Sequence, residues 1–169
     1  MGVIWITGLA GSGKSRIAVD VVRLLRAQNA EPVILLDGDA VRAALGDGGY
    51  DRDARLAAAY RICRLAQLIA RQGAIVVVAT LSLFHEIHAL NRAAGVPYLE
   101  VLVECPELLL RQRSPLYAQD DGAHVVGRGI AAEFPRSPHL LLRNDGGPEH
   151  IPTLAEHVVK TWADHVGIR

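Results

Sequence analysis

One segment near the start of the chain has the residue types and spacing of a phosphate-binding loop, G-x-x-x-x-G-K-[ST]. Glycines in such a loop let backbone N–H groups turn toward phosphate oxygens, and the helix that follows adds its own unpaired N–H groups. Lys14 is expected to reach the β- and γ-phosphates of a nucleoside triphosphate, and Ser15 to bind Mg²⁺. The predicted nucleotide-binding residues are Gly8, Leu9, Ala10, Gly11, Ser12, Gly13, Lys14 and Ser15.

The surroundings of this loop favour phosphate binding over a flexible Gly/Ser turn. The apolar run Val3–Thr7 ends directly before the loop, and a helical pattern over residues 14–28 follows it. A strand that feeds a glycine-rich loop and then a helix is the arrangement that the motif requires. Lys14 is also one of only two lysines in the chain, so a lysine at this position is less expected by chance.

Two carboxylates and an arginine follow the second apolar run. Asp37 and Asp39 flank Gly38, and Arg42 lies about one helical turn beyond Asp39. Ligands of a parallel sheet bind at the carboxyl ends of its strands, where two carboxylates can hold Mg²⁺ and accept a proton from a substrate hydroxyl. The residues alone leave a second interpretation open, in which the carboxylates cap a helix.

Four later residues are candidates for contact with a donor or an acceptor molecule. Tyr50 lies in a glycine-rich turn before Arg55, and an aromatic ring beside arginines suits a stacked base and a bound anion. Arg113 precedes a long aperiodic segment and is a candidate for contact with nucleotide phosphates. Ser82 follows the third apolar run and either contacts substrate or caps the next helix. Each single arginine also fits a solvated helix face.

These residues need a frame of strands alternating with helices. Helical patterns fall at residues 14–28, 39–45, 53–72, 83–94, 106–113 and 152–165, and the alternation predicts a doubly wound α/β sandwich with a parallel five-stranded sheet. Residues 114–138 show little periodicity, and about 114–134 is predicted to be a lid, because phosphoryl transfer needs water excluded. The predicted strands are Val3–Thr7, Pro32–Leu36, Ala74–Thr80, Tyr98–Val103 and His139–Leu142.

Length and composition narrow the class of protein. The 169 residues predict a single domain over residues 1–169. Eighteen basic and eighteen acidic side chains balance, so no basic field points to a nucleic acid polymer. No apolar run approaches a membrane span and no signal-peptide pattern is present, so we expect a cytoplasmic protein. Cys63 and Cys105 lack the spacing of a zinc or redox motif.

The motifs together resemble the adenylyl-sulfate kinase family, whose members read W-[IL]-T-G-L-S-G-x-G-K-[ST] and L-D-G-D-x-[VI]-R. The matching residues run from Trp5 to Ser15 and from Leu35 to Arg42, and the likeness continues at Gly49-Tyr50, Arg55, Leu116-Tyr117 and Gly127 to Pro135. The resemblance implies a P-loop three-layer sandwich like that of the nucleoside-monophosphate kinases. It also implies ATP-dependent phosphorylation of the ribose 3′-hydroxyl of adenylyl sulfate or a related nucleotide, with Mg²⁺, and it is compatible with a homodimer.

The same resemblance implies roles for individual residues. Asp37 and Asp39 would supply the Mg²⁺ contact and the base for the 3′-hydroxyl, with the assignment between them open. Arg42 and Arg55 would bind the nucleotide acceptor, and Tyr50 would stack on its base. Ser82 matches a serine position that is phosphorylatable in the family. The predicted catalytic residues are therefore Lys14, Asp37, Asp39 and Ser82.

Departures from the family pattern lie on the acceptor and lid side. In the family motif D-R-x-x-N-x-R-R, Ala58 replaces the Asn and Tyr60 the first Arg of the pair, and Leu83 replaces the Pro of F-I-S-P. The lid also loses its lysines. Since the nucleotide-binding side is intact, the pattern predicts that ATP is kept as donor, and it leaves open both adenylyl sulfate and a changed acceptor.

Two alternatives to adenylyl sulfate as acceptor stay open. Gly49 to Arg52 and residues 82–92 resemble a divergent branch of the same family, some members of which act on cytidine diphosphoramidate. A P-loop kinase for a small non-nucleotide metabolite is the other alternative. Retention of Lys14, Ser15, Asp37 and Asp39 argues against an inactive homologue.

Overall fold

The computed structural model describes residues 1–28, 32–46, 48–115 and 125–167. Leu116 and Tyr117, and the part of the predicted lid over residues 116–124, lie outside the described residues. The strands are β1 (Gly2–Thr7), β2 (Val33–Asp37), β3 (Ile75–Thr80), β4 (Tyr98–Glu104) and β5 (Leu140–Arg143). The helices are α1 (Lys14–Gln28), α2 (Gly38–Ala44), α3 (Arg52–Ala70), α4 (His85–Arg92), α5 (Glu107–Arg113) and α6 (Ile151–His165), and a 3₁₀ turn (Pro148–His150) precedes α6.

The five strands form one parallel sheet in the order β2-β3-β1-β4-β5, which confirms the predicted fold class. Strand β1 lies at its centre, where Thr7 pairs with Thr80 on one side and with Leu102 on the other. The ends of β1, β3 and β4 therefore meet at one edge, and the phosphate loop leaves the sheet at the middle of that edge.

Helices cover both faces of the sheet and make three layers. Ile4 and Ile6 of β1 pack in a cluster that includes residues of α1 and α6. Val3 and Trp5 point the other way, into a cluster with residues of α3 and α4. Because both faces of β1, β3 and β4 are buried, these strands carry nearly continuous apolar runs, and this pattern predicts them from the sequence.

The predicted element boundaries agree with the structure to within one or two residues. The start of α4 is one of the boundaries that differ. This helix begins at His85 and not at residue 83, because Phe84 is extended, with φ −131° and ψ 126°. Leu83 is buried away from the helix, in a third cluster at the carboxyl edge of the sheet. The other buried members of this cluster are Leu102, Val126 and Ile130. Tertiary burial of Leu83 thus overrides its helical propensity.

Residues 125–138 form neither a helix nor a strand, as the lack of periodicity in this part of the sequence predicts. An isolated bridge joins Val126 to Ile130, and both side chains are buried against the third cluster. Within the described ranges, no helix has the length and apolar character that a membrane crossing requires.

Candidate active site

The phosphate loop connects β1 to α1 in a tight turn. The backbone N–H of Ser12 donates to the Leu9 carbonyl at 3.1 Å. Gly11 and Gly13 have φ of 80° and 92°, a region that side chains disfavour. A Cβ atom at Gly13 would also lie 2.3 Å from Nδ2 of Asn144. Glycine is therefore required at this position by both backbone conformation and space.

Lys14 is the first residue of α1, and its Nζ donates to the Leu9 carbonyl at 3.3 Å across the loop. Burial lowers the pKa of this ammonium group, and the nearby carboxylates of Asp39 and Asp37 oppose the shift. An ammonium group held against the phosphate loop is placed to attract phosphate oxygens. Contact of Lys14 with the β- and γ-phosphates stays a prediction.

Asp37 connects the phosphate loop to α2. The hydroxyl of Ser15 donates to Oδ2 of Asp37 at 2.8 Å. The other oxygen, Oδ1, accepts the backbone N–H groups of Asp39 at 3.1 Å and Ala40 at 3.3 Å, so Asp37 is the N-cap of α2. The sequence allowed capping by Asp39, and this was wrong, because α2 begins one residue earlier, at Gly38. A hydroxyl and a carboxylate oxygen at this distance are hard ligands of the kind that Mg²⁺ prefers, so the pair fits that ion.

A cavity beside these groups contains most of the residues that the sequence singled out. We call it the carboxylate cavity. Gly38 lies against its wall, since a Cβ there would meet Oγ1 of Thr80 at 2.9 Å. The predicted site residues that line it are Ala10, Lys14, Ser15, Asp37, Asp39, Arg42, Tyr50, Arg55 and Ser82.

Tyr50 lies between two arginines at the outer end of the carboxylate cavity. Its ring centroid is 5.1 Å from the Arg42 guanidinium carbon and 5.4 Å from that of Arg55. Arg42 donates to the Gly49 carbonyl and Arg55 to the Tyr50 carbonyl, the latter at 2.9 Å. These bonds hold both cations beside a ring that is 59% exposed, so stacking area and positive charge occur together.

Ser82 is buried at the inner wall of the carboxylate cavity. Its hydroxyl is 2.8 Å from the hydroxyl of Thr80, so the two share a hydrogen bond. Ser82 does not cap α4, whose first residue is His85, and the capping interpretation was therefore wrong. The His85 N–H instead donates to the carboxylate of Glu133 at 2.8 Å.

A second cavity lies on the other side of the phosphate loop, and we call it the Arg113 cavity. The Arg113 guanidinium donates to backbone carbonyls of Asn144, at 3.5 Å, and Gly146. Lys14 and Ser15 line this cavity as well as the carboxylate cavity, so they lie at the junction of the two.

Asn144 is a site residue that sequence reasoning missed. It is buried, and its Nδ2 donates to the Ser12 carbonyl at 2.8 Å, from 132 residues further along the chain. It also lines the Arg113 cavity. The signal that could have found it is its position directly after β5, at the same sheet edge as the other site residues.

The three departures from the family pattern have different surroundings. Ala58 lines the carboxylate cavity. The hydroxyl of Tyr60 donates to Glu86 at 2.5 Å, and Leu83 packs in the third cluster, so neither belongs to the cavity lining. The effect of these three replacements on the choice of acceptor stays a prediction.

Comparison with known proteins identifies similar kinases, which is consistent with the phosphate loop and carboxylates described above. The family model described as adenylylsulphate kinase matches residues 1–143. The chain is similar to the cytidine diphosphoramidate kinase of Campylobacter jejuni, with 33% identity over 164 residues that cover 95% of this chain and 96% of that protein. It is also similar to the adenylyl-sulfate kinase of Myxococcus xanthus, with 35% identity over 155 residues that cover 85% and 82% of the two chains.

A solved structure gives the same result for the fold. The APS kinase of Mycobacterium tuberculosis in complex with AMPPNP and APS has a TM-score of 0.80 to this chain, with 31% identity and coverage of 95% of this chain and 96% of that one. Sheet order, phosphate loop and carboxylate pair are thus accompanied by similarity over nearly the whole length. The chain belongs to the adenylylsulphate kinase family and is a phosphotransferase.

Proposed function

We propose that the protein transfers the γ-phosphate of ATP to a ribose hydroxyl of a nucleotide that carries a charged 5′ group. The observation that supports this most is the position of Lys14 and Ser15, which line both the carboxylate cavity and the Arg113 cavity. ATP in the Arg113 cavity would direct its phosphates through the phosphate loop toward Asp39. An acceptor in the carboxylate cavity would then face the γ-phosphate in line.

Each residue of the proposed site has a task that its geometry allows. Lys14 would neutralise charge on the transferring phosphoryl group, and Arg113 would contact the donor nucleotide. Ser15 and Asp37 would hold Mg²⁺, which when bound would neutralise charge on the phosphate oxygens. Asp39, in the first turn of α2, would accept the proton of the attacking hydroxyl.

The acceptor would bind at the outer end of the carboxylate cavity. Arg42 and Arg55 would hold its phosphate or charged 5′ group, and Tyr50 would stack on its base. Ser82 would contribute a hydroxyl group whose direction is set by Thr80. A nucleotide fits this combination better than a sugar acid, because a sugar acid has no ring system to stack on Tyr50.

Two nucleotides are the candidate acceptors, adenylyl sulfate and cytidine diphosphoramidate. The first is the substrate implied by the family. The second is supported by the similarity to the Campylobacter jejuni kinase and by Ala58, whose methyl group lines the cavity where the family has the polar Asn. A site that lacks such a polar partner discriminates differently among nucleotides.

A panel of acceptors tests the proposal directly. The protein is incubated with ATP, Mg²⁺ and one of adenylyl sulfate, cytidine diphosphoramidate, gluconate or shikimate, and ADP release and the position of the new phosphate are measured. We expect phosphorylation of a nucleotide at a ribose hydroxyl. A specificity constant for adenylyl sulfate of about 10⁴ M⁻¹s⁻¹ or more would assign that acceptor and end the changed-acceptor hypothesis. Turnover of only gluconate or shikimate would overturn the nucleotide proposal.

The homodimer and the cytoplasmic location stay predictions. Light scattering behind size-exclusion chromatography measures the first, and fractionation of cells that express the protein measures the second. A monomeric mass at micromolar concentration would contradict the homodimer.

A further inference from the structure

Glu133 lies near the end of the predicted lid, and it contacts residues next to two other parts of the carboxylate cavity wall. Its backbone N–H donates to the Leu83 carbonyl at 3.0 Å. One carboxylate oxygen accepts the N–H of His85 at 2.8 Å, and the other lies 3.3 Å from the Arg52 guanidinium. The Glu133 carbonyl is 3.2 Å from Nε2 of His88. One residue thus joins α3, α4 and its own segment.

Each partner of Glu133 belongs to a stretch of chain that lines the carboxylate cavity. Arg52 begins α3, two residues after Tyr50, and its guanidinium carbon lies 5.5 Å from the ring centroid of Phe84. Phe84, directly before His85, lines the cavity. Val126, in the segment that leads to Glu133, lines it too. The carboxylate of Glu133 thus contacts residues adjacent in sequence to two wall segments, and its own segment supplies a third.

The carboxylate has a physical reason to stay in this position. Helix α4 lacks a side-chain cap from its own N-cap residue, Phe84, so the His85 N–H would otherwise be an unpaired donor. A negative charge at a helix N-terminus is favourable, and the bond from this N–H, followed by the bond from Arg52, lowers the pKa of Glu133. The carboxylate of Glu133 is therefore charged at neutral pH.

We propose that Glu133 is a positioning residue for the acceptor: it fastens the segment over residues 125–133 to α3 and α4, and so fixes the wall that Tyr50, Phe84 and Val126 present to the acceptor. The proposal rests on the proposed function. Among the described residues, Tyr50, Phe84 and Val126 line the carboxylate cavity and none of them lines the Arg113 cavity, so we expect the effect to fall on the acceptor and not on ATP.

Two variants distinguish the contact of Glu133 with the His85 N–H from its contact with Arg52. In Glu133→Gln, an amide oxygen still accepts the His85 N–H while the charge pair with Arg52 is lost. Glu133→Ala loses both contacts. The matched control is Glu156→Ala, an exposed glutamate on α6. Steady-state kinetics measure kcat and the two KM values with the acceptor that the panel identifies.

We expect the acceptor KM to rise about tenfold in Glu133→Ala and about threefold in Glu133→Gln, with the KM for ATP within about twofold of wild type. The control should match wild type. Equal rises in both KM values would indicate a merely structural role and overturn the proposal, as would an unchanged acceptor KM in a folded Glu133→Ala.

Hydrogen exchange without any substrate keeps this test separate from the proposed function. If Glu133 is the tether, amides over residues 125–133 and 85–88 exchange faster in Glu133→Ala than in wild type and in Glu156→Ala. Unchanged exchange in those segments overturns the tether, whatever the kinetics. If wild type phosphorylates no nucleotide in the panel, the proposed function fails, and the exchange result alone then decides whether Glu133 fastens the segment.

Discussion

At the scale of single residues, some side chains of the candidate site have two roles: they stabilise the fold and they contribute to the chemistry proposed for the site. One oxygen of Asp37 caps α2 and the other pairs with Ser15. The capping and the metal-binding interpretations of the Asp-Gly-Asp sequence therefore do not exclude each other. A substitution at such a residue has to be chosen so that the two tasks are separated.

Lys14→Ala should abolish phosphoryl transfer while the fold is kept. Its ammonium group is the cation at the junction of the two cavities, and loss of a preorganised charge at such a position lowers kcat by about 10²-fold or more. The matched control is Lys160→Ala, which removes the other lysine of the chain from the exposed side of α6. Activity of Lys14→Ala within tenfold of wild type, with unchanged circular dichroism, would contradict the assignment of the phosphate loop.

The two carboxylates should respond differently to replacement by Asn. Asp37→Asn keeps an N-cap of about equal quality, so the protein stays folded, but the Mg²⁺ concentration for half-maximal rate should rise. Asp39→Asn should lower kcat and leave the KM for ATP unchanged, because a base acts only as the hydroxyl attacks. Titration of Mg²⁺ and ATP against rate distinguishes the two. If Asp39→Asn changes only the KM for ATP, the assigned roles are wrong.

At the scale of elements, the end of β5 supports the phosphate loop through Asn144. Its amide donates to the buried Ser12 carbonyl, and it lies so close to Gly13 that a Cβ atom there would clash with it. The loop conformation therefore depends on an element that lies at the edge of the sheet and more than a hundred residues away in sequence.

Replacement of Asn144 should weaken ATP binding and stability together. Asn144→Ala leaves the Ser12 carbonyl without its donor, which costs about 1–3 kcal/mol of unfolding free energy. Asn144→Asp also places an acceptor against that carbonyl and should raise the dissociation constant for AMPPNP further. Urea denaturation and calorimetric titration measure these two effects. Unchanged affinity for AMPPNP in both variants would show that the loop holds its shape without Asn144.

Much of the fold could be predicted from the sequence because its signals are local. The β-branched run of β3, for example, is buried on both faces and is recognisable from Ile75–Thr80 alone. The contacts of Asn144 and Glu133 could not be predicted in the same way, because their partners are distant in sequence and both residue types occur commonly on surfaces. The phosphate loop and carboxylate pair were predictable since their spacing carries the chemistry itself.

The predicted lid over residues 114–134 leads to an element-scale expectation about dynamics. Gly127 has φ of 91° and provides a permissive hinge, while Val126 and Ile130 anchor the described part of the segment in the third cluster. Hydrogen exchange over residues 125–134 should slow when AMPPNP and acceptor are both bound, because closure excludes water from the site. Equal exchange with and without the two ligands would make the segment a passive loop.

At the scale of the whole molecule, a buried charge near the middle of β4 joins several parts of the fold. Glu100 is 0% exposed, and its carboxylate accepts the hydroxyl of Tyr98 at 2.9 Å and the guanidinium of Arg92. Its other neighbour is Nδ1 of His88, at 3.2 Å from a carboxylate oxygen. Arg92 also donates to the Ser137 carbonyl, so the same network holds the segment that leads into β5.

This network should make global stability sensitive to acid. Burial alone would raise the pKa of Glu100, but the close contact of His88 and the hydrogen bonds from Arg92 and Tyr98 outweigh it and lower the pKa below its ordinary value of 4.5. A carboxyl whose pKa is depressed on folding stabilises the protein above the unfolded value, and this contribution is lost as pH falls through the folded value. The loss attributable to Glu100 therefore begins as pH drops below about 4.5.

The difference in unfolding free energy between wild type and Glu100→Gln isolates this contribution from that of the other carboxyl groups. At pH 7 the variant should be less stable by about 3 kcal/mol, because Arg92 loses its buried partner. The gap should stay constant down to about pH 5 and narrow as Glu100 of the wild type becomes protonated at lower pH. Urea denaturation at pH 7, 5, 4 and 3.5 measures the gap, with the exposed Glu156→Gln as a control that stays within about 0.5 kcal/mol of wild type throughout. A gap that keeps its size at pH 3.5 would mean that folding does not lower the pKa of Glu100, and would contradict the charge-based explanation.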